Sequence, residues 1–279
     1  MKIFTAQKTL SEYLLKEKKN GRSIGFVPTM GALHNGHLSL INGATEKTDL
    51  VVVSIFVNPT QFNDAKDLVN YPRPLDADLA KLNTVKCDVL FMPEVSEMYS
   101  ENEYWEPDLD GLDIILEGKQ RPGHYKGVTQ IVNKLFNVVK PDIAFFGQKD
   151  YQQFLVISKL ISITGSDIEL VMCPIIREKD GLAMSSRNVL LSEEERQIAL
   201  ILSGVLNQAK KDFDDTTIVN LKSNAITSLK STKGLSLDYF EVCDAKSLQP
   251  VINKNKKDII ALVAASIGST RLIDNIILR

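Results

Sequence analysis

An α/β fold, with a parallel sheet flanked by helices and a second, smaller α+β domain, is predicted by three features of this 279-residue sequence. Short β-branched runs alternate with longer amphipathic segments through the first two-thirds, the pattern of strand–helix repeats that build a parallel sheet. The polar motifs fall just after strands, where open α/β sheets place their ligand crevice. Beyond Pro174 the alternation stops and a capping box opens a long helix. The expected division is therefore a Rossmann-like nucleotide-binding domain over 1–175 and a smaller α+β domain over 176–279.

The strands are expected at Ser23–Val27, Leu50–Val57, Val89–Met92, Ile143–Phe146 and Ile168–Cys173, each a short apolar run bounded by polar or turn residues. Helical periodicity runs between them, at His37–Lys47, Leu75–Thr84, Val128–Val139 and Tyr151–Ile163. The irregular segment Ser96–Gln120, with Tyr104, Trp105 and Pro107 among acidic residues, is expected to cross one face of the sheet. In the second domain, Ser192-Glu-Glu-Glu195 caps a helix reaching toward Phe213, and a further helix is expected at Thr217–Leu229. Strands at Leu237–Cys243 and Ile259–Ala265 flank the polar stretch Asn253–Lys257, whose lysines suit a solvated turn.

With 44% hydrophobic residues the chain has enough apolar content for packed cores without covalent staples. Its 33 basic and 35 acidic residues give a net charge of −2, so no positive field invites nucleic acid or an anionic membrane. Small-molecule chemistry fits better. The N-terminus turns charged within a few residues and lacks a signal-peptide core, and no apolar run reaches bilayer length, so a cytoplasmic protein without a membrane partner is expected. Cys87, Cys173 and Cys243 lie far apart with no Cys-x-x-Cys pair, which predicts buried free thiols.

The most informative tetrapeptide is His34-Asn-Gly-His37, which follows an apolar strand and opens a helix. A helix start leaves backbone N–H groups unpaired and carries partial positive charge, so phosphate is its natural guest. Two histidines three residues apart point at that guest together, with Gly31 and Gly36 keeping the backbone open. Ordinary surface or core histidines, or a metal pair, are the alternatives; a zinc site would want a third ligand of the His-Glu-x-x-His type, and the remaining histidine is His124. The usual phosphate loops are missing. Gly111 to Gly118 encloses six residues instead of four and is followed by Lys119-Gln120, so it is no Walker loop, and no Gly-x-Gly-x-x-Gly occurs.

Four other clusters follow strands or open helices. Asn58-Pro-Thr-Gln61 offers two amides to a polar organic ligand, or else forms a plain Asn-Pro turn. Asp76 and Asp78 stand at a helix start, where Asp is common as a cap or dipole partner, and a bound metal would make Asp78 functional. Gly147-Gln-Lys149-Asp150 sets a lysine within reach of phosphate, with Gln153 one turn on; a structural use of Gly147 as a turn and Asp150 as a cap leaves the lysine unexplained. Met184-Ser-Ser-Arg187 offers two hydroxyls and a guanidinium that suit polyphosphate oxygens, or else lies in a polar interdomain loop.

Taken in order, Phe26–His37, Phe56–Phe62, Tyr71-Pro-Arg73, Arg121-Pro-Gly-His124, Phe145–Gln153, Asp180–Asn188 and Ser269–Asn275 resemble the blocks of the pantothenate synthetase family, the pantoate–β-alanine ligases of the HIGH-type nucleotidyltransferase superfamily. The resemblance spans essentially the chain. It implies a reaction in two steps: pantoate attacks the α-phosphate of ATP to give pantoyl adenylate and pyrophosphate, then the β-alanine amine displaces AMP and forms pantothenate. By the same resemblance His34, His37, Lys149, Ser185, Ser186 and Arg187 are catalytic, acting on the ATP phosphates. Pro28, Thr29, Met30, Gly147, Asp150, Ile176 and Met184 line the nucleotide site with Lys149. Asn58, Gln61 and Gln153 bind pantoate, and Asp78 helps hold Mg²⁺. Ala77 stands where relatives can carry a further acidic residue, which shifts the metal toward ATP oxygens and water. The smaller domain is expected to serve as a lid through its Ser185-Ser186-Arg187 loop, and a homodimer is implied. The alternatives are another HIGH-type nucleotidyltransferase acting on a phosphate acceptor, and a nucleotide-binding module without turnover.

Overall fold

The structure, a computed structural model, describes residues 1–100 and 103–279. Among these residues a six-stranded sheet is formed by β1 (Lys2–Phe4), β2 (Ile24–Thr29), β3 (Leu50–Ile55), β4 (Val89–Phe91), β5 (Ile143–Gly147) and β6 (Glu169–Cys173). They lie in the order β1-β4-β3-β2-β5-β6, and each adjacent pair is parallel. Parallel pairing requires a crossover after each strand. The longer crossovers carry α1 (Gln7–Lys19), α2 (Asn35–Lys47), α3 (Ala65–Asn70), α4 (Leu75–Leu82), α5 (Val95–Met98), α6 (Leu116–Gln120), α7 (His124–Val139) and α8 (Tyr151–Thr164).

Alternate residues of the central strands enter two different cores. Phe26, Leu50, Val52 and Phe91 pack with Leu10 and Leu14 of α1 and with Val128, Val132 and Phe136 of α7. Val27, Val51, Val53 and Leu90 pack with Leu40, Ile41 and Ala44 of α2. Coverage on both faces explains why β3 reads Leu-Val-Val-Val instead of alternating with polar residues. Each such side chain contributes about 1.5–3 kcal/mol on full burial. The order of strands reverses at β2: β3 and β4 lie on one side of it and β5 on the other. The crevice beyond the carboxyl ends of β2 and β5 is therefore where a ligand is expected.

By its internal contacts the chain forms two compact units, Met1–Gly147 with Gln153–Pro174, and Gln148–Gln152 with Ile175–Arg279. In the second unit α9 (Glu193–Asp212) and α10 (Ile218–Ser231) cover an antiparallel sheet of β7 (Leu235–Asp244), β8 (Ile259–Ile267) and β9 (Thr270–Ile277). Leu202, Leu206, Leu221, Phe240, Val242 and Val263 form its core. The expected capping box is present: Ser192 Oγ accepts from the Glu195 N–H at 3.2 Å and Glu195 Oε2 from the Ser192 N–H at 2.8 Å. The fold is thus the expected parallel sheet with a smaller α+β part.

Several elements depart from expectation for physical reasons. β1 is a three-residue edge strand and α1 buries only Leu10 and Leu14, too little apolar surface to show periodicity. α7 begins at His124 instead of Val128, because Gly123, at φ +81°, makes the left-handed turn into it. The expected helix at His37 begins at Asn35, because His34 itself is the cap. Within Ser96–Gln120, Met98 and Leu109 are buried, and Tyr99, Trp105 and Leu112 pack on the α7 core; residues 101 and 102 lie outside the described residues. The three cysteines are free and buried, as expected. Among the described residues no helix is long and apolar enough to cross a membrane.

Candidate active site

The loop after β2 carries the two histidines. Gly31 and Ala32 both take left-handed backbone, at φ +78° and +48°, a conformation a non-glycine residue holds only when its surroundings enforce it. Here the enforcing group is Asp78, on α4 and 1% exposed. Its Oδ2 accepts from the Ala32 N–H at 2.8 Å and its Oδ1 from the Leu33 N–H at 2.7 Å. One turn further along α4, the Lys81 ammonium donates to the Leu33 carbonyl. From the strand side Thr29 donates its hydroxyl to the Ser54 carbonyl at 2.7 Å and accepts from the Gly31 N–H at 3.2 Å. A carboxylate, an ammonium and a hydroxyl thus hold one turn of backbone.

That turn delivers His34 to the N-cap of α2 and His37 to its first turn. The two side chains cap reciprocally, and their rings lie 4.0 Å apart. The His34 N–H donates to His37 Nδ1 at 3.3 Å. With Nδ1 an acceptor, the neutral His37 ring carries its proton on Nε2, where it can donate to an anion. Donor and helix dipole then act in the same place.

Past β3, Asn58 opens a short helical turn, Pro59–Gln61, seated on α7. Gly127 permits that seat: a Cβ there would lie 2.3 Å from the Thr60 carbonyl oxygen. His124 Nδ1 is 2.8 Å from the Gln61 carbonyl, and Arg121 Nη1 is 3.1 Å from Nε2. Arg121 can only donate and a carbonyl only accept, so the proton sits on Nδ1 and His124 anchors the Gln61 backbone. Asn58 and Gln61 are both buried, and Gln153 is half-buried on α8.

In the second unit, Asn275 of β9 is 2% exposed and grips the segment that carries Lys149. Its Nδ2 donates to the carbonyls of Gln148 at 2.9 Å and Lys149 at 3.0 Å, and its Oδ1 accepts from Gln148 Nε2 at 3.1 Å. The Lys149 ammonium lies 3.6 Å from Asp150 Oδ1, a loose pair that a phosphate can displace. The preceding residue, Asp274, forms a two-point ion pair with Arg177, at 2.6 and 3.0 Å, and Arg177 also donates to the Gly181 carbonyl at 3.1 Å. This fastens the hairpin in which Arg177 bridges to Ala183 and the Met184 N–H donates to the Ile176 carbonyl at 3.0 Å. Ser185 then caps the turn Ser186–Leu190, its Oγ accepting from the Arg187 N–H at 3.2 Å, which leaves its O–H free to donate.

Comparison with known proteins gives a consistent result. The family model of pantoate-beta-alanine ligase matches residues 2–277. The chain belongs to that family. A pantothenate synthetase of Porphyromonas gingivalis is 44% identical over 277 residues, 99% of each chain, and one of Fervidobacterium nodosum is 47% identical over 269 residues, 95% of each. The crystal structure of pantothenate synthetase from Thermus thermophilus superposes with a TM-score of 0.94 at 36% identity, covering 100% of this chain and 99% of that one. A pantoate-beta-alanine ligase from Francisella tularensis, in complex with beta-gamma ATP and beta-alanine, gives a TM-score of 0.82 at 37% identity, covering 100% and 98%. This chain is accordingly a ligase of the pantoate–β-alanine ligase family.

Against the residues expected of such a ligase, the first unit holds Pro28, Thr29, Met30, His34, His37, Asn58, Gln61, Asp78, Gly147 and Gln153, and the second holds Lys149, Asp150, Ile176, Met184, Ser185, Ser186 and Arg187. Sequence inspection alone missed Tyr99, Lys81, Arg177 and the Asp274–Asn275 pair as supports of these groups. Lys81 sits three residues after Asp78 on the same helix, a spacing that was visible; Tyr99 and Asn275 act across long sequence separations.

Proposed function

We propose that this ligase condenses pantoate with β-alanine at the expense of ATP, through pantoyl adenylate, releasing pyrophosphate and AMP and making pantothenate in the cytoplasm. The reading is supported above all by one coincidence: the family match runs the length of the chain, and the paired histidines open α2 just past β2, where the strand order reverses. Residues 1–175 serve the nucleotide and pantoate, and the Met184–Arg187 loop of 176–279 acts on the triphosphate. The working assembly is a homodimer.

In the first step a carboxylate oxygen of pantoate attacks the α-phosphorus and pyrophosphate leaves. Pantoate is ionised at neutral pH, so no general base is needed. Negative charge spreads over nonbridging and leaving oxygens, and fixed donors are the effective catalysts for such a transition state. His34, His37, Lys149, Ser185, Ser186 and Arg187 supply them. Pro28, Thr29, Met30, Gly147, Asp150, Ile176 and Met184 shape the nucleotide site. Gln61 and Gln153 hold pantoate in line; Asn58, expected to bind it directly, is 1% exposed with its amide engaged by Gln61, Gly127, Thr60 and Tyr99, and serves by holding Gln61. In the second step the deprotonated β-alanine amine attacks the acyl carbon, the acyl C–O bond to the phosphate breaks so that AMP departs on its phosphate oxygen, and the nitrogen's surplus proton is released to water.

Mg²⁺ neutralises phosphate charge when bound. Asp78 does not suit direct ligation of it: the carboxylate is buried, and each oxygen already accepts a backbone N–H. Among the described residues no group of three or more His, Cys, Asp or Glu gathers to hold an ion. A Mg²⁺ ion would accordingly be held without Asp78 as a direct ligand, and Asp78 serves the site by holding the histidine loop.

The test is product release from purified protein with Mg·ATP and pantoate, with and without β-alanine. Pyrophosphate with pantoate alone, and sustained AMP only when β-alanine is present, is the expected result. Silence with both substrates from folded protein that binds ATP would overturn the proposed reaction.

A further inference from the structure

The hydrogen bonds around Asn58 form a chain whose direction can be worked out from its ends. The Gly127 carbonyl can only accept, so the Asn58 atom 3.1 Å from it is the nitrogen, Nδ2. Oδ1 then faces the two hydroxyls, Tyr99 at 2.7 Å and Thr60 at 3.2 Å, which also lie 3.1 Å from each other. The second N–H of Nδ2 is directed at Gln61, 3.1 Å away, and the Gln61 atom that receives it must be the acceptor, Oε1. The NH₂ group of Gln61 is thereby turned the other way, to the Met30 thioether at 3.1 Å, at the carboxyl end of β2. Asn58 is 1% exposed and has both N–H groups and both lone pairs of its amide in use. It has no capacity left for a ligand. Gln61 does, because a thioether is a weak acceptor that a ligand oxygen displaces at little cost.

Resting on the pantoate-site reading above, we infer that Asn58, turned by the Gly127 carbonyl and held in place by the Tyr99 hydroxyl, fixes the amide of Gln61 with its NH₂ toward the ligand, so that this position selects a substrate oxygen able to accept a hydrogen bond. Tyr99 is then a positioning residue, Gln61 the group that touches the hydroxy acid, and Asn58 the link between them. Burial also pushes the Tyr99 phenol up, so its hydroxyl keeps the proton it donates at neutral pH. The segment Ser96–Gln120, opaque in sequence, supplies this donor from its fourth residue.

The experiment is a double-mutant cycle read as KM for pantoate, KM for ATP and kcat, with a thermal melt for each variant. Tyr99→Phe should raise the pantoate KM about three- to tenfold, the effect of one neutral hydrogen bond, and leave the ATP KM and kcat within about twofold. In a Gln61→Ala background the same substitution should change the pantoate KM by less than about twofold, because Tyr99 acts only through Gln61. Gln61→Glu keeps the acceptor that faces Asn58 but presents no donor to the ligand at neutral pH; it should fold and raise the pantoate KM about tenfold or more. If Tyr99→Phe folds poorly, Thr60→Val provides the same readout from the other hydroxyl. Additive effects in the cycle, or Gln61→Glu with an unchanged pantoate KM, would overturn the inference while wild-type turnover of pantoate left the site reading intact. Absence of pantoate-dependent turnover in the wild type would remove the site reading itself.

Discussion

Replacing Asp78 with Asn isolates the anchoring of the histidine loop. The carboxylate accepts two backbone N–H groups, at 2.8 and 2.7 Å, in a nearly fully buried position. A hydrogen bond to a charged group contributes about 1.5–3 kcal/mol net. Asparagine keeps one oxygen and must turn its NH₂ at the other N–H, a contact between two donors. The expected loss is about 2–4 kcal/mol, which at a slope of about 2–3 kcal/mol per M lowers the urea midpoint of the first unit by about 1 M. The loss should be the same with and without Mg²⁺. Pyrophosphate release by the folded fraction should fall, since Ala32 at φ +48° relaxes once unheld and takes His34 with it, and excess Mg²⁺ should not restore it. Unchanged stability together with full rescue at high Mg²⁺ would refute this account and make Asp78 a metal ligand.

His37→Ala and Lys149→Ala should each lower kcat about 10²–10³-fold with folding intact, as removal of one fixed donor does, and near-normal turnover would deny them that role. Asn275→Ala removes three hydrogen bonds around Gln148 and Lys149, so pyrophosphate release should drop by about tenfold or more, whereas an effect on thermal stability alone would make Asn275 a packing residue. Gly127→Ala drives a Cβ to 2.3 Å from the Thr60 carbonyl oxygen; the pantoate KM should rise and stability fall by about 1–3 kcal/mol, and a neutral outcome would show that the 58–62 turn is not held by α7. Burial pushes the Cys87 and Cys243 thiols up to about 12. Both states keep these protons at neutral pH; above about 9 only the unfolded chain loses them, so stability should fall as pH rises and native thiols should resist alkylation at pH 8, which a denaturant titration and a labelling time course would check.

Local patterns carried much of the architecture into the sequence. The apolar run Leu50–Ile55 announces a strand covered on both faces, and Ser192 with Glu195 announces a helix start, because each signal is written within a few neighbouring residues. The histidine pair was legible for the same reason: strand, turn and helix are contiguous around it. β1 was not legible, since a three-residue edge strand has no periodicity and owes its place to β4. Asp78 was singled out over Asp76 by the family resemblance, but as a metal holder; its burial against the loop after β2, invisible in sequence, makes it an anchor of that loop.

What the sequence by itself determined is the set of chemically able groups and the segments that present them, because hydrophobic period, caps and turns act over a few residues. What only the tertiary structure decided is which way those groups face and what holds them. Asp78 grips Ala32 across 46 positions, the Gly127 carbonyl turns Asn58 across 69 and Asn275 grips Lys149 across 126. Hydrogen bonds are short and directional, so the orientation of an amide or a loop is fixed only when folding brings its distant partners within about 3 Å.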